Sequence, residues 1–446
     1  MKKKHHFRLS PARLIALGFF LVILAGAGLL CLPFSYRGEA PGFLNALFTA
    51  TSATCVTGLI VRDTFTGWTI FGQGVILFLI QLGGLGFMTV FTLISSALGR
   101  KLGLYDRKVL MQSAGNLSLS GIGGLIRRII PFTFVFEAVG ALLLATRFVP
   151  QFGWGRGIWF SVFHAISAFC NAGFDLMGVN QPFSSLTAYA GDATVSLTVC
   201  ALIIIGGLGF LVWRDLAVNK FHWSKYQLHT KLVLTATGVL LIGGWLLFLL
   251  FERHASLEGM SAGERLLAAF FEAVTPRTAG FNTTDLNALS ESGNLLTNVL
   301  MLIGGSPGST AGGIKTTTVA VLALSVLVSA RGHTRVNAFR YSIDRDTLRQ
   351  ASSIVFIYLS MAIIAIAALC ALDPITLKQA MFEVNSAVAT VGLTLGITST
   401  LSAASRIILI ILMYAGRLGG LSFVLLFSER RSEPPVDRPV GKLLIG

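Results

Sequence analysis

Phe48-Thr-Ala-Thr-Ser-Ala-Thr-Cys-Val-Thr-Gly58 is the stretch on which the reading of this chain turns, because its pattern returns three times. The later copies are Phe163-His-Ala-Ile-Ser-Ala-Phe-Cys-Asn-Ala-Gly173, Phe270-Phe-Glu-Ala-Val-Thr-Pro-Arg-Thr-Ala-Gly280 and Phe382-Glu-Val-Asn-Ser-Ala-Val-Ala-Thr-Val-Gly392. In each copy a Phe stands ten residues before the glycine and Leu or Phe follows it; the glycines lie 115, 107 and 112 residues apart. A second motif comes after each: Gly83-Gly-Leu-Gly86, Gly206-Gly-Leu-Gly209, Gly304-Gly-Ser-Pro307 and Gly416-Arg-Leu-Gly419, at 25, 33, 24 and 24 residues from the preceding glycine. Two landmarks kept in order through four copies define an internal repeat.

The surroundings of the motif are apolar. Of 446 residues, 54% are hydrophobic and 12% charged, against about a quarter charged in a soluble domain; the mean hydropathy is +0.75. Stretches such as 14–32 and 195–212 carry no charge at all, and a bilayer crossing needs roughly 20 mainly apolar residues. The fold class expected is an all-α polytopic membrane protein. Each unit reads as a long apolar helix, a short re-entrant helix of about 12 residues, too short to cross, the glycine motif, and a second long helix. The long helices are expected at 13–33 and 69–98, 124–148 and 194–218, 230–252 and 294–330, and 350–372 and 405–428. This divides the chain into a cytoplasmic start (1–12), four pore repeats (13–98, 99–218, 219–330 and 331–428) and a C-terminal tail (429–446).

The net charge of +15 would suggest nucleic acid in a soluble protein, but its placement points elsewhere. Of 35 Lys and Arg, 24 fall in five clusters, at 2–13, 100–128, 214–231, 331–349 and 430–442; nine lie in the alternate segments, and Lys315 and Arg417 sit inside apolar stretches. That is the positive-inside pattern, which puts both termini and the basic loops in the cytoplasm, where they can also touch anionic lipid headgroups. No nucleic-acid-binding module accompanies the charge. The basic start before an apolar run mimics a signal peptide, but the run is long enough to span and reads as the first helix. The five cysteines form no CxxC pair and read as packing residues rather than disulfides or metal ligands.

The four glycine loops suit the stripping of water from a small cation inside a low-dielectric layer. A ring of backbone carbonyls can replace the hydration shell, and irregular backbone at membrane depth is tolerated where it lines a cavity. Glycine allows the positive φ that turns preceding carbonyls inward. The residues expected to form this lining are Cys55, Val56, Thr57 and Gly58; Cys170, Asn171, Ala172 and Gly173; Thr278, Ala279 and Gly280; and Thr390, Val391 and Gly392. The short helices would aim their negative C-terminal ends at the axis.

The strings Thr51-Ser-Ala-Thr-Cys-Val-Thr-Gly-Leu59, Asn171-Ala-Gly-Phe-Asp175, Arg277-Thr-Ala-Gly-Phe-Asn282 and Ala389-Thr-Val-Gly-Leu393 resemble the four filter loops of the Trk/Ktr/HKT cation transporters. The likeness covers nearly the whole chain and is greatest to the Ktr-type membrane subunit, since the first repeat begins almost at once. It implies potassium as the transported ion, because Gly58 is glycine where a serine is associated with sodium in that family. It also implies a homodimer in the bacterial cytoplasmic membrane and a cytosolic, nucleotide-binding RCK-type regulatory subunit. No cofactor is expected on this chain, with sodium as a candidate stimulator; no strand-flanked GxGxxG and no GKS/T appears.

Two departures from the repeat stand out. Arg417 occupies the place of Gly84, Gly207 and Gly305. An intramembrane arginine either serves a structural pair or snorkels, or it faces a functional cavity; the resemblance implies a barrier below the filter. In the third copy Gly304, Gly305, Ser306, Pro307, Gly308, Ser309, Thr310, Ala311, Gly312 and Gly313, followed by Lys315, should unwind a helix. Read from the residues this is a kink or a gate, and the resemblance implies an intramembrane gate. Among other ionisable groups near the loops, Arg277 is expected to brace the filter by pairing with Glu272 or Glu383, and His164 to be a satisfied buried histidine. The tail either docks at a subunit interface or has no fixed place.

The competing readings are a sodium-permeable or sodium-coupled transporter of the same build, a secondary transporter of another solute, and an intramembrane enzyme. Secondary transporters commonly use inverted repeats, whereas all four units here run the same way. No HExxH or Ser/His arrangement supports an enzyme.

Overall fold

The computed structural model describes residues 11–86, 122–220, 222–333, 335–419 and 423. In chain order the helices of ten or more residues are α1 (Pro11–Leu30), α2 (Gly42–Cys55) and α3 (Ile70–Leu85); α4 (Ile122–Phe152), α5 (Trp154–Phe169), α6 (Ala193–Leu208) and α7 (Phe210–Asn219); α8 (Leu228–Phe251), α9 (Ala262–Val274), α10 (Glu291–Leu302) and α11 (Thr316–Ala330); and α12 (Arg345–Leu372), α13 (Leu377–Val388) and α14 (Ala403–Leu418). A two-residue antiparallel pair, β1 (Asn337–Ala338) with β2 (Tyr341–Ser342), is the sheet among the described residues.

Several helix starts follow from their caps. Ser261 and Glu264 form a capping box at α9, and Thr376 and Gln379 form another at α13, each satisfying two orphan backbone donors. The Asp192, Ser290 and Ser402 side chains cap α6, α10 and α14.

Among the described residues four helices contain a window long and apolar enough to cross a bilayer, in α1, α4, α8 and α12, and α6 with α7 forms a fifth, bent span. Only 22–39% of the residues in those four windows are buried within the chain. Outward side chains such as Phe20, Leu142, Val239, Leu250, Phe356 and Ile364 make an apolar surface that water disfavours and hydrocarbon accepts. The protein is a multi-pass membrane protein. Polar and small residues, by contrast, are drawn inward onto the short helices: every residue of α2 from Phe48 to Cys55 is buried, as is α13 from Phe382 to Val388.

The long helices differ from the sequence expectation at one recurrent place. The segment 194–218 is not one helix, because the chain turns by 94° between α6 and α7. Within 69–98, α3 stops at Leu85 and 87–98 lies outside the described residues. Within 405–428, α14 stops at Leu418, and beyond Gly419 only residue 423 is described. Gly86, Gly209 and Gly419 end these helices at φ of 81°, 93° and 85°, a region open to glycine and strained for other residues. The expectation of single helices over 69–98, 194–218 and 405–428 is therefore corrected; copy three has a longer interruption, from Ile303 to Lys315. The cause is backbone-to-backbone packing. A Cβ on Gly83 would lie 2.0 Å from the Thr54 carbonyl oxygen, on Gly206 2.0 Å from Phe169 O, and on Gly416 2.2 Å from Val388 O. The second motif is thus the notch into which each of these short helices sets its last carbonyls.

The third copy also shifts by one residue. Phe48, Phe163 and Phe382 are fully buried ten residues before their glycines, but in copy three the fully buried residue is Phe271, and Phe270 is half-buried. The helix ends at Val274, two residues before Pro276, and the loop to Gly280 is correspondingly longer. The tail 429–446 and most of the basic cluster 100–128 lie outside the described residues.

Candidate functional site

Each short helix ends a few residues before its glycine, and the four glycines meet. A Cβ on Gly58 would lie 2.5 Å from Ala172 O; on Gly173, 2.7 Å from Ala279 O; on Gly280, 2.6 Å from Val391 O; and on Gly392, 2.1 Å from Thr57 O. The contacts run from copy one to two, two to three, three to four and back to one, so the loops close a ring. At every step the neighbour is the carbonyl just before the next glycine. Thr57, Ala172, Ala279 and Val391 are fully buried and uncharged.

The carbonyls reach these positions through an alternating backbone. Gly58, Gly173, Gly280 and Gly392 have φ of 94°, 69°, 82° and 98°. Two residues earlier, Val56, Asn171, Thr278 and Thr390 are also left-handed, at 57°, 58°, 70° and 53°, while the residue between is not. Alternating the sign of φ rolls successive peptide planes so that their carbonyls share a side. For a residue with a Cβ the left-handed region costs roughly 1–2 kcal/mol, and three of the four are β-branched. Such strain persists only where the surroundings enforce it, and it clusters at functional sites. The sequence reading foresaw positive φ at the glycines and missed it two residues before them, where Val56, Thr278 and Thr390 give no signal and only Asn171 is of a type that favours it.

Hydrogen bonds to the short helices hold the loops. The Thr57, Ala172 and Val391 N–H groups each donate to the carbonyl of Ser52, Ser167 or Ser386 at 2.8 Å. Ser52 and Ser386 Oγ accept from the Gly58 and Gly392 N–H groups at 3.1 and 3.0 Å. Ser167 Oγ donates to Phe174 O at 2.7 Å, and Thr275 Oγ1 donates to Phe281 O. In copies one and four every N–H from the left-handed residue to the ring glycine is engaged by the short helix, which leaves the carbonyls for the axis. The Asn171 amide, with its nitrogen toward the Ala168 and Ile203 carbonyls, donates to both at 3.2 Å.

The two glutamates act on the same loops. Glu272 accepts from Thr284 Oγ1 at 2.7 Å, and Glu383 accepts from the Thr394 and Thr398 hydroxyls. The expected pairing of Arg277 with either is not found. Arg277 is buried, makes no ion pair among the described residues, and its Nε has no hydrogen-bond partner; both Glu383 oxygens and Glu272 Oε1 are turned to threonines, while Glu272 Oε2 has no partner among the described residues. His164 is satisfied as expected: Nδ1 meets Phe160 O at 2.7 Å and Nε2 meets the Leu176 N–H at 3.3 Å, which fixes a neutral ring protonated on Nδ1. Cys55 and Cys170 are buried free thiols; a Cβ on Gly84 would lie 2.5 Å from Cys170 Sγ.

The segment between α10 and α11 packs under the residues that precede the ring glycines. Its ends pair, with Gly304 N–H on Ile314 O (2.9 Å) and Ile314 N–H on Leu302 O (3.2 Å). Its middle docks on the notch of copy two: Ser306 N–H donates to Gly207 O at 2.9 Å and Phe210 N–H to Gly308 O at 2.9 Å. Thr310 Oγ1 donates to Phe169 O at 3.2 Å, and a Cβ on Gly312 would strike Thr390 Oγ1 at 1.9 Å. Lys315 Nζ donates back to Ala311 O at 2.6 Å. Arg417 arrives from copy four and donates to Thr310 O, Gly83 O and, at 3.4 Å, Gly84 O. One guanidinium therefore joins copies one, three and four, a fork that lysine could not reproduce. It pairs with carbonyls rather than with an acid, and it does not snorkel.

The family model for TrkH, cation transport protein, matches residues 12–434. The chain is 43% identical over 454 residues to the potassium/sodium uptake protein NtpJ of Enterococcus hirae, covering 100% of this chain and 99% of that one. It is 41% identical to the Ktr system potassium uptake protein B of Bacillus subtilis, covering 98% and 97%. The crystal structure of the potassium transporter TrkH from Vibrio parahaemolyticus superposes with a TM-score of 0.73 over 96% of this chain and 87% of that one, at 19% identity.

Proposed function

Because the chain belongs to the TrkH family of cation transport proteins, and is a transporter rather than an enzyme, we propose that it takes up potassium across a bacterial cytoplasmic membrane through the ring of four glycine loops. The observation that carries this reading is the closed circuit of carbonyls from Thr57, Ala172, Ala279 and Val391. Oxygens contributed by four loops around one axis replace the water of a monovalent cation without needing an acidic ligand. Relatives named for potassium uptake support the choice of ion. The relative named for both potassium and sodium favours a second reading, a sodium-permeable or sodium-stimulated pore of the same build.

The proposal extends to the layout. Each copy is read as span, re-entrant helix, filter loop and broken span, eight crossings in all, with the basic clusters and both termini in the cytoplasm. The segment from Gly304 to Gly313 and Lys315 is the gate beneath the filter, held by Arg417. The family resemblance implies a homodimer that works with a cytosolic nucleotide-binding RCK-type subunit. The mass of the detergent-solubilised complex, measured with and without that subunit, is expected to show two copies of this chain; a single copy would remove the dimer.

Growth of potassium-uptake-deficient cells on limiting potassium tests the function. The chain is expected to restore growth and rubidium uptake. Gly58→Ser is expected to lower the rubidium-to-sodium uptake ratio roughly ten-fold, or about 1.4 kcal/mol of selectivity. An unchanged ratio would place the filter elsewhere.

A further inference from the structure

On the side of the ring away from the 303–315 segment lies a cavity of about 230 Å³ whose lining includes Gly280 and Gly392. Apart from these two glycines every lining residue follows a ring glycine within its own copy, so this is the mouth facing the other side of the membrane. One of them carries a charge, Asp285. We propose that Asp285 is the residue that concentrates hydrated monovalent cations at the mouth of the filter; this rests on the potassium-uptake reading above.

The acids around the mouth differ in whether their charge is available. Asp63 stands five residues after Gly58, as Asp285 stands five after Gly280. Asp63 is 5% exposed, and its oxygens accept from the Phe65, Thr66 and Phe183 N–H groups and the Thr66 hydroxyl, all at 2.8–3.0 Å. Glu272 and Glu383 are buried against threonines. Asp285 is exposed. Its Oδ1 caps the following turn through the Asn287 N–H (2.9 Å) and side-chain amide (3.3 Å), and its Oδ2 has no partner among the described residues. No lysine or arginine lines the cavity to neutralise it. A fixed negative charge beside a concave, low-dielectric wall raises the local cation concentration, and a long-range field of this kind is screened by salt. It acts on charge and not on ionic size, so it alters how often the filter is loaded and leaves its selectivity alone.

The test is the concentration dependence of rubidium and sodium uptake by intact cells that lack their own potassium uptake systems, with ionic strength set by an impermeant organic salt. Asp285→Asn keeps an oxygen for the Asn287 N–H and removes the charge. At low ionic strength it is expected to raise KM roughly two- to five-fold for both ions with Vmax unchanged, and Asp285→Lys by about the square of that factor. At high ionic strength the variants are expected to converge on the parent. A KM that does not move at low salt, a shift that persists at high salt, or a shift for one ion alone would overturn the proposal. If the parent chain carries no rubidium, the potassium reading fails, and this one with it.

Discussion

Gly392→Ala is expected to reduce rubidium uptake at least about 100-fold while the chain still inserts into the membrane. The new methyl would sit 2.1 Å from Thr57 O and 2.9 Å from the Gly58 Cα, on a residue whose φ is 98°. Both neighbours are backbone, so no flexible side chain can yield. Holding a non-glycine residue in this conformation costs about 1–3 kcal/mol, and overpacking a filled site costs about 1–3 kcal/mol more. The cheapest relief is to rotate the Thr57 carbonyl off the axis, which removes an oxygen from the ring. Gly396→Ala is the control. It has a comparable φ of 85°, but its Cβ meets nothing within 4 Å, so it adds backbone strain without touching the ring and is expected to retain uptake within a few-fold. Rubidium uptake normalised to the amount of protein in the membrane measures both. Retention of near-parental uptake in Gly392→Ala would mean that the ring is not the path.

Arg417→Ala is expected to raise the initial rate of rubidium flux ten-fold or more. Two consequences of the substitution act in the same direction. The first is mechanical: Thr310 O, Gly83 O and Gly84 O lose their shared donor, so the segment under the ring is no longer tied to copies one and four. The second is electrostatic. At an effective dielectric of about 20, a unit positive charge ~8 Å from a passing cation raises its energy by about 2 kcal/mol, a factor of roughly 30 in rate. Against these stands the cost of leaving carbonyls unpaired, about 1–3 kcal/mol each in a dry interior, which entering water relieves. Arg417→Lys should fall between, since it keeps the charge but has no planar fork to reach carbonyls in two copies. Equal initial rates in all three proteins at matched expression would refute both contributions.

The sequence determined a good deal by composition and repetition. Long uncharged stretches dictate spanning helices, because a bilayer leaves an unsatisfied backbone no other solution. The four glycine-centred copies locate the loops, and the density of glycine with Pro307 in the third copy marks where α10 must give way before α11. His164 could be read as a satisfied core histidine from its apolar neighbours alone. These are local properties, written into the residue types at or beside the position concerned.

What tertiary structure decided were the facts that depend on a second segment. A glycine in an apolar run reads as ordinary helix packing, so the ends of α3 and α14 and the 94° turn after α6 were not legible until the carbonyls of Thr54, Phe169 and Val388 were set beside Gly83, Gly206 and Gly416. The left-handed Val56, Thr278 and Thr390 run against their residue types, since only the closing of the ring makes their strain the lower-energy choice. Arg277 and Arg417 were both expected near the loops, yet which carbonyls or carboxylates each could reach was a matter of distance. Glu383 was engaged by threonines through both oxygens and Glu272 through one, neither within reach of Arg277, and Arg417 found carbonyls from two other copies. Repetition in sequence implies four similar loops; that they close into one ring follows from excluded volume, because only residues without a Cβ let four backbones meet.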